Sequence, residues 1–322
     1  MEWIWIGLGL CLVPLLVATI LLIWLHWHLR KNYLHIIIRI FQEVPLFNIP
    51  RGQPRQDAED VKFSTKDGLA LRGCYLKSPH QRRGVILFGL EFGSTRWSTA
   101  IYTDHLLEAG YDIFAYEPRN QGDSACERGL EPLHWVCDRD LIDAQAAIAY
   151  LKSRPDADKR GIGLFGISKG AGAGMAAAVT DPFIRCAVTD GMFGSISTVL
   201  PYMRKFMTIY NESYVIQGLL PWWYYATLAH LAIRTVGKER HVRFLHLERA
   251  VRQFRRPLLS IHGADDNYIR PEMARRLFNM AREPKEFWLI PGANHNQGPH
   301  VAGQEYSRRV REFFDKYLAA AN

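Results

Sequence analysis

The chain has 322 residues, of which 48% are hydrophobic and 22% are charged, and its formal net charge is +8. This composition suits a full-sized buried core and excludes a disordered, collagen-like or repeat protein. We expect one large globular domain, and because no nucleic-acid-binding motif accompanies the positive charge, we expect no nucleic-acid partner.

The N-terminal segment is the most apolar part of the chain. Residues 3 to 29 contain no Asp, Glu, Lys or Arg, and as a helix they would extend about 40 Å, beyond the ~30 Å hydrocarbon core of a bilayer. A signal peptide would be shorter with a basic start, whereas a buried core helix or a helix lying flat on the membrane could also be this apolar. We predict a transmembrane anchor over residues 1–30. Tryptophan favours the headgroup layer, and four lie near the ends of the segment: Trp3, Trp5, Trp24 and Trp27.

The charges around this segment predict its orientation. Arg30, Lys31 and Arg39 follow it, whereas only Glu2 precedes it, and an excess of positive charge favours the cytoplasmic side. The five cysteines have neither metal-ligand spacing nor the pattern of a disulfide framework, which agrees with a reducing compartment. We therefore predict a single-pass membrane protein whose C-terminal part is cytoplasmic.

The segment after the anchor contains Pro45, Pro50 and Pro54, which predicts a linker over residues 31–57. Asp67-Gly68 then separates two alternating runs, which is typical of a β-hairpin. Farther on, short apolar runs alternate with longer helical segments, and this pattern predicts a mostly parallel sheet with helices on both faces. The predicted strands are residues 84–89, 112–117, 162–167, 186–190, 257–263 and 286–291.

The gap between the fourth and fifth of these strands is about 65 residues, too long for a simple crossover. We predict a helical cap insertion at about residues 195–252, although ordinary packing of its aromatic side chains against the domain explains the composition equally well. The aromatic residues are Tyr202, Phe206, Tyr210, Tyr214, Trp222, Trp223, Tyr224 and Tyr225.

The pentapeptide GISKG at residues 166–170 matches the pattern G-x-S-x-G. An apolar strand leads directly into Ser168 and a helix of small residues follows it, which is the context of a nucleophile elbow. Such a turn projects the serine hydroxyl, and side chains at Gly166 and Gly170 would collide with their neighbours. We predict that Ser168 is a nucleophile.

An acid and a histidine follow the serine along the chain. IHGADDNYIRP stands at the end of the next-to-last strand and PGANHNQG after the last, and the order Ser, Asp, His is that of the alpha/beta-hydrolase fold. Over about residues 60–318 the chain resembles the alpha/beta-hydrolase superfamily, and its HGxxD and GAxHN turns look like those of the membrane-anchored or cytosolic hydrolases related to Bem46.

The resemblance implies the roles of the site residues. The acid of that pattern is Asp266, with its neighbour Asp265 excluded, while Asp190 at the end of the preceding strand is an alternative acid. His295 would take the Ser168 proton and later give it to the leaving group, and the acid would fix the imidazole tautomer.

An oxyanion hole needs two backbone N–H groups. By alignment these belong to Lys169, after the nucleophile, and to Leu90, after the strand GVILFG. The family usually has His-Gly in this second loop, whereas here the sequence is Phe88-Gly89-Leu90-Glu91. A carboxylate at Glu91 would oppose the developing negative charge unless it pointed away.

YEPRNQGDS at residues 116–124 is similar to the family signature Arg-Gly-x-Gly-x-Ser, in which Arg119 and Asp123 would brace the site. The sequence therefore predicts an alpha/beta-hydrolase fold over residues 58–322, acting as a serine hydrolase on an acyl ester or thioester. We expect a lipophilic small-molecule substrate and no metal or organic cofactor. Two different functions stay open: an acyl-CoA thioesterase or acyltransferase, whose substrate phosphates the basic stretch 234–256 could hold, and a non-catalytic protein that binds a lipid or a partner.

Overall fold

The computed structural model describes residues 2–43, 49, 51–210 and 222–319. The chain divides into two compact units. One contains Met1–Glu43 and Met203–Val236, and the other contains Val44–Tyr202 and Gly237–Asn322. The larger unit holds the whole sheet, and every residue predicted for the chemistry lies in it.

In the part of the chain that the structure describes, the sheet has eight strands in the order β1-β2-β4-β3-β5-β6-β7-β8. Strand β2 pairs antiparallel with both β1 and β4, and all other neighbours are parallel. The strands are β1 (Ala58–Ser64), β2 (Ala70–Leu76), β3 (Gly84–Gly89), β4 (Tyr111–Glu117), β5 (Ile162–Ile167), β6 (Ile184–Asp190), β7 (Leu258–Gly263) and β8 (Lys285–Ile290).

The helices alternate with the parallel strands, as the sequence predicts. Among the described residues they are α1 (Glu2–Gln42), α2 (Ala100–Glu108), α3 (Asp138–Ser153), α4 (Ser168–Thr180), α5 (Ile196–Tyr210), α6 (Trp222–Glu239), α7 (Leu247–Gln253), α8 (Pro271–Asn279), α9 (Gly298–Ala302) and α10 (Gln304–Phe314). The predicted mostly parallel sheet is therefore confirmed, and so is the hairpin, since β1 and β2 pair on either side of Asp67-Gly68.

The core lies on both faces of the sheet. Leu164 and Phe165 are consecutive in β5 and completely buried, yet they belong to separate apolar clusters, because successive strand side chains point to opposite faces. Covering both faces explains why the inner strands are continuous apolar runs. The carboxyl ends of the parallel strands meet at one edge of the sheet, where the predicted site residues follow β3, β5, β7 and β8.

Helix α1 continues to Gln42, so the first part of the predicted linker is helical; Ile37 and Phe41 are buried there, and their apolar packing explains the extension. Among the described residues no single helix has the length and apolar character of a membrane span. The segments Leu12–His28 and Arg30–Gln42, which meet at a 41° bend, reach the length and apolar character of a membrane span only when they are taken together. The transmembrane helix stays a prediction.

The insertion between β6 and β7 contains α5, α6 and α7. Residues 211–221, including the aromatic Tyr214, lie outside the described residues. Of the aromatic side chains assigned to a cap, Trp222 and Trp223 are exposed whereas Tyr224 and Tyr225 are buried. These side chains therefore include both packing and surface positions, and the role of the insertion as a cap stays a prediction.

Candidate active site

Ser168 lies at the sharp turn between β5 and α4. Its φ is +50°, in the left-handed region that non-glycine residues rarely adopt, and such a conformation costs about 1–3 kcal/mol. Strand β5 ends at Ile167 and helix α4 begins at Ser168 itself, so the turn has no intervening loop. The strain is the structural sign of an elbow that projects the hydroxyl away from the sheet.

The two glycines of the pentapeptide are required by close backbone contacts. A Cβ on Gly166 would lie 2.4 Å from the Cα of Ala171. A Cβ on Gly170 would lie 2.3 Å from the carbonyl carbon of Gly89 and from the carbonyl oxygen of Leu90. Gly170 therefore brings the first turn of α4 against the end of β3, which places the backbone of Leu90 beside the elbow.

Three side chains from distant parts of the chain form a hydrogen-bonded series. The Ser168 Oγ lies 3.0 Å from His295 Nε2, and His295 Nδ1 lies 2.6 Å from Asp266 Oδ2. With the ring proton on Nδ1, the imidazole donates to the carboxylate and accepts from the serine hydroxyl. The structure thus brings together the three residues predicted from sequence, in the arrangement that activates a serine.

Asp266 is held by two further donors. Its Oδ1 accepts hydrogen bonds from the backbone N–H groups of Tyr268, at 2.9 Å, and Ile269, at 2.8 Å. The neighbouring His262 is almost fully buried and its Nε2 donates to the Ile269 carbonyl at 2.7 Å. Burial lowers the pKa of His262, which favours its neutral form. His262 is part of the HGxxD motif, but only the folded structure shows that it supports Ile269, one of the two residues that hold Asp266.

Asp190, the alternative acid, also lies at the carboxyl edge of the sheet. Its Oδ2 accepts a hydrogen bond from the Tyr306 hydroxyl at 2.8 Å, while the Nδ1 hydrogen bond of His295 goes to Asp266. Burial raises the pKa of Asp190 to about 7. The geometry therefore favours Asp266 as the orienting acid and leaves Asp190 as a buried carboxyl group close to the same histidine.

Lys169, whose N–H is a predicted oxyanion donor, is fixed by its side chain. Its ammonium group pairs with Asp140 at 2.8 Å, and both side chains are more than nine-tenths buried. The ammonium also lies 5.4 Å from the ring centre of Phe92. Lys169 is therefore tied both to the start of α3 and to the loop of residues 90–95, which we call the β3 loop.

Glu91 in the β3 loop is buried, and its Oε2 accepts a hydrogen bond from Asn296 Nδ2 at 2.6 Å. Its Oε1 is buried and has no hydrogen-bond partner among the described residues. Burial raises the pKa of Glu91 and favours its neutral form. The carboxyl group is thus directed to Asn296, and its burial acts against the charged form that the sequence places beside the elbow.

Gln121 is a bracing residue that sequence reasoning missed. Its amide nitrogen donates to the carbonyl oxygens of Glu91 and Ser94, at 3.1 and 2.6 Å, and its amide oxygen accepts from Gly93 N–H at 3.2 Å. The side chain thus holds both ends of the β3 loop. Gln121 occupies a variable position of the family signature, so no motif marks it.

The two residues predicted to brace the site do so to different degrees. Arg119 is buried and its guanidinium pairs with Asp143, Asp67 and Glu127. Asp123 is largely exposed and accepts from Arg96 at 2.8 Å. Arg119 therefore anchors the loop after β4 in the interior, whereas the contact of Asp123 lies near the surface.

Aromatic rings form a wall next to the histidine. The Tyr268 ring meets the His295 ring edge to face, with 5.3 Å between centroids, and also contacts the His134 ring at 6.0 Å. His134 in turn contacts Trp135 and Phe193. Burial lowers the pKa of His134 to about 3, so its imidazole is neutral. Loops widely separated in sequence supply these rings, and no sequence pattern grouped them.

The described residues contain no group of three or more His, Cys, Asp or Glu side chains placed to hold a metal ion. The arrangement of serine, histidine and aspartate can by itself provide a nucleophile and a proton carrier.

Known proteins resemble this chain in sequence or in fold. The chain is 26% identical over 255 residues to the protein YfhR of Escherichia coli O157:H7, covering 76% of this chain and 75% of that one. The crystal structure of the Pyrococcus furiosus esterase Pf2001 superposes with a TM-score of 0.63 at 20% identity, covering 86% of this chain and 99% of that one. The thiohydrolase aneE of Aspergillus aculeatus is 26% identical over 136 residues, 40% of each chain.

A family model matches residues 88–310, which begin at the end of β3 and reach into α10 and so include Ser168, Asp266 and His295. The chain belongs to the alpha/beta hydrolase family.

Proposed function

We propose that this protein is a serine hydrolase that cleaves an acyl ester through a covalent acyl-enzyme on Ser168. The observation that supports it most directly is the hydrogen-bonded series from the Ser168 hydroxyl through His295 to Asp266. The family membership and the esterase among the similar structures support the same class of reaction. Within the family, the HGxxD and GAxHN turns favour the Bem46-like group.

The reaction follows from the positions of these atoms. His295 Nε2 removes the Ser168 proton as Oγ forms a bond to the substrate carbonyl carbon, and the carbonyl electron pair moves to oxygen. Collapse of this intermediate breaks the bond to the leaving group, which takes the proton from the imidazolium. A water molecule, deprotonated by His295, then cleaves the acyl-enzyme and restores the serine. The N–H groups of Lys169 and Leu90 are the proposed donors to the oxyanion.

A lipophilic acyl group is the substrate class that the surroundings favour. The Tyr268 ring lies against the histidine, and the largely buried rings of His134, Trp135 and Phe193 continue from it; burial against aromatic rings stabilises apolar groups. A charged acyl group would lose its hydration at such a wall without gaining a partner.

A thioester of coenzyme A is the second candidate substrate. A small cleft is lined by the basic Lys169, Arg139 and Arg240 and also by the acidic Asp140 and Glu131, and Arg240 belongs to the basic stretch that could hold phosphates. The similarity to a thiohydrolase also supports this candidate. Acyl transfer to an acceptor other than water would use the same acyl-enzyme.

The test is labelling of the purified protein with a fluorophosphonate, followed by a panel of p-nitrophenyl esters of increasing chain length and the matching CoA thioesters. We expect one fluorophosphonate per chain, mapped to the peptide containing Ser168, and faster hydrolysis of medium or long acyl chains than of acetate. Thioester turnover that falls steeply with salt would favour the CoA substrate, because salt screens phosphate binding. Absence of both labelling and turnover would favour a non-catalytic binding protein.

We propose that the N-terminal helix anchors the protein in a membrane with the hydrolase domain in the cytoplasm. The support is the apolar stretch of residues 12–28, whose large side chains are mostly exposed, followed by Arg30 and Lys31. We expect the full chain to remain in membranes washed at alkaline pH. Cys126, an exposed cysteine, should react with a bulky maleimide only after cells are permeabilised. Release by the wash, or labelling of Cys126 on intact cells, would contradict the anchor or its orientation respectively.

A further inference from the structure

Glu91 makes a contact that the catalytic series does not use. Its carboxyl oxygen Oε2 accepts a hydrogen bond of 2.6 Å from the Asn296 side chain, although 205 residues separate the two in sequence. Glu91 is 7% exposed, and the bond itself is partly buried. The contact joins the β3 loop to residues 291–297, which we call the histidine loop.

Asn296 is closely linked to the catalytic imidazole. It directly follows His295, its φ is +58°, and its carbonyl oxygen accepts a hydrogen bond from the Tyr102 hydroxyl at 3.3 Å. A Cβ on Gly191 would lie 2.6 Å from Asn296 Oδ1 and 3.1 Å from His295 Cε1. The Asn296 side chain and the imidazole thus pack against the same backbone.

Glu91 is fixed at its backbone as well as at its side chain. Its carbonyl accepts from Gln121, and the preceding residue, Leu90, is the proposed oxyanion donor. A single residue therefore connects the loop that would bind the oxyanion with the loop that carries the proposed base.

We propose that Glu91 is a positioning residue. Through Asn296 it holds His295 where the imidazole Nε2 accepts a hydrogen bond from the Ser168 hydroxyl, and it keeps the β3 loop aligned with the histidine loop. This inference rests on the proposed serine hydrolase function. Glu91 does not touch the reacting atoms in this role; it acts through Asn296. Because displacement of a catalytic group by about 1 Å can reduce the rate about 100-fold, loss of the link should affect turnover more than substrate binding.

The charged groups around Glu91 determine which substitution can replace it. The titratable groups that interact with it are His295, Tyr102 and Asp190. Burial favours the neutral carboxyl group, raising the pKa of Glu91. A glutamine has nearly the same shape, and its amide oxygen can accept from Asn296, so Glu91→Gln should preserve the link.

The experiment compares Glu91→Ala, Glu91→Gln, Asn296→Gly and the double variant Glu91→Ala/Asn296→Gly in the full chain. Hydrolysis of a p-nitrophenyl ester is measured as separate kcat and KM values over a range of pH. Glycine at position 296 retains the positive φ while removing the amide. Asp112→Ala is the matched control. Asp112 is a buried carboxylate that accepts hydrogen bonds from Tyr75 and Ser78 near the amino ends of the parallel strands, opposite the site.

We expect Glu91→Ala and Asn296→Gly each to lower kcat about 10- to 100-fold with little change in KM. The kcat of the double variant should be no lower than that of the slower single variant. Glu91→Gln should stay within about threefold of wild type and keep its pH profile. Asp112→Ala should lower the melting temperature without lowering kcat. If Glu91→Ala does not fold, Asn296→Gly alone tests the link.

Wild-type kcat in Glu91→Ala or Asn296→Gly, multiplied losses in the double variant, or a Gln variant as slow as the Ala variant would overturn the inference. Labelling of wild type by a fluorophosphonate separates this result from failure of the proposed function. If wild type reacts and these variants behave otherwise than expected, only the positioning role is lost. If wild type does not react, the hydrolase proposal itself fails, and the positioning role, which depends on it, is overturned too.

Discussion

Replacing Ser168 by alanine should lower kcat/KM for a p-nitrophenyl ester about 10⁴-fold or more, because the proposed acyl-enzyme would form on the hydroxyl that this change removes. The Ser168 hydroxyl is the atom that His295 Nε2 contacts at 3.0 Å, and alanine removes it without adding bulk. Steady-state hydrolysis and fluorophosphonate labelling both measure the loss.

The matched control for this variant is Ser78→Ala. Ser78 donates its hydroxyl hydrogen bond to the Leu107 carbonyl at 2.7 Å, near the edge of the sheet opposite to the site. We expect Ser78→Ala to reduce stability slightly and to retain activity. Hydrolysis that persists in Ser168→Ala would mean that another nucleophile or a contaminating enzyme acts.

Replacing Asp266 by asparagine should lower kcat about 10³- to 10⁴-fold, with the fold retained. An amide facing His295 Nδ1 would donate a hydrogen bond and so favour the ring tautomer with its proton on Nε2. That tautomer cannot accept the Ser168 proton. Circular dichroism and thermal unfolding check that the variant is folded, and kcat measures the effect.

Asp190→Asn is the comparison that distinguishes the two candidate acids. Because Asp190 accepts from the Tyr306 hydroxyl, an amide oxygen can keep that bond. We expect kcat to change by less than about tenfold, since the hydrogen bonds of His295 to Ser168 and Asp266 are retained. A larger loss in Asp190→Asn than in Asp266→Asn would assign the orienting role to Asp190.

The strands and the elbow could be predicted because their signals are local. A buried parallel strand is a continuous apolar run, and the predicted segment 162–167 coincides with β5. Gly166, Ser168 and Gly170 lie within five consecutive residues, so a short motif is enough to indicate a turn that requires glycine on both sides of the serine. The order of Ser168, Asp266 and His295 along the chain then predicted the other two members of the hydrogen-bonded series.

The supporting contacts could not be predicted, because each joins residues distant in sequence and depends on burial. Nothing near Glu91 indicates that its partner is Asn296, and a glutamate in a loop ordinarily faces water. Gln121 and His134 are likewise ordinary residues until the fold encloses them. The extension of α1 into the predicted linker was missed because the boundary was placed at the first charges after the apolar run, Arg30 and Lys31, whereas the helix continues to Gln42.

Strand β8 is an outermost strand of the sheet, and this position affects when the site is assembled during biosynthesis. Ser168, Asp266 and His295 follow β5, β7 and β8, and β8 comes last in the strand order, next to β7. During translation the residues of the elbow are therefore synthesised well before His295, whereas a domain generally folds as a unit. The nascent protein would lack the proposed base until β8 pairs with β7, so that the proposed chemistry can begin only after β8 has joined the sheet.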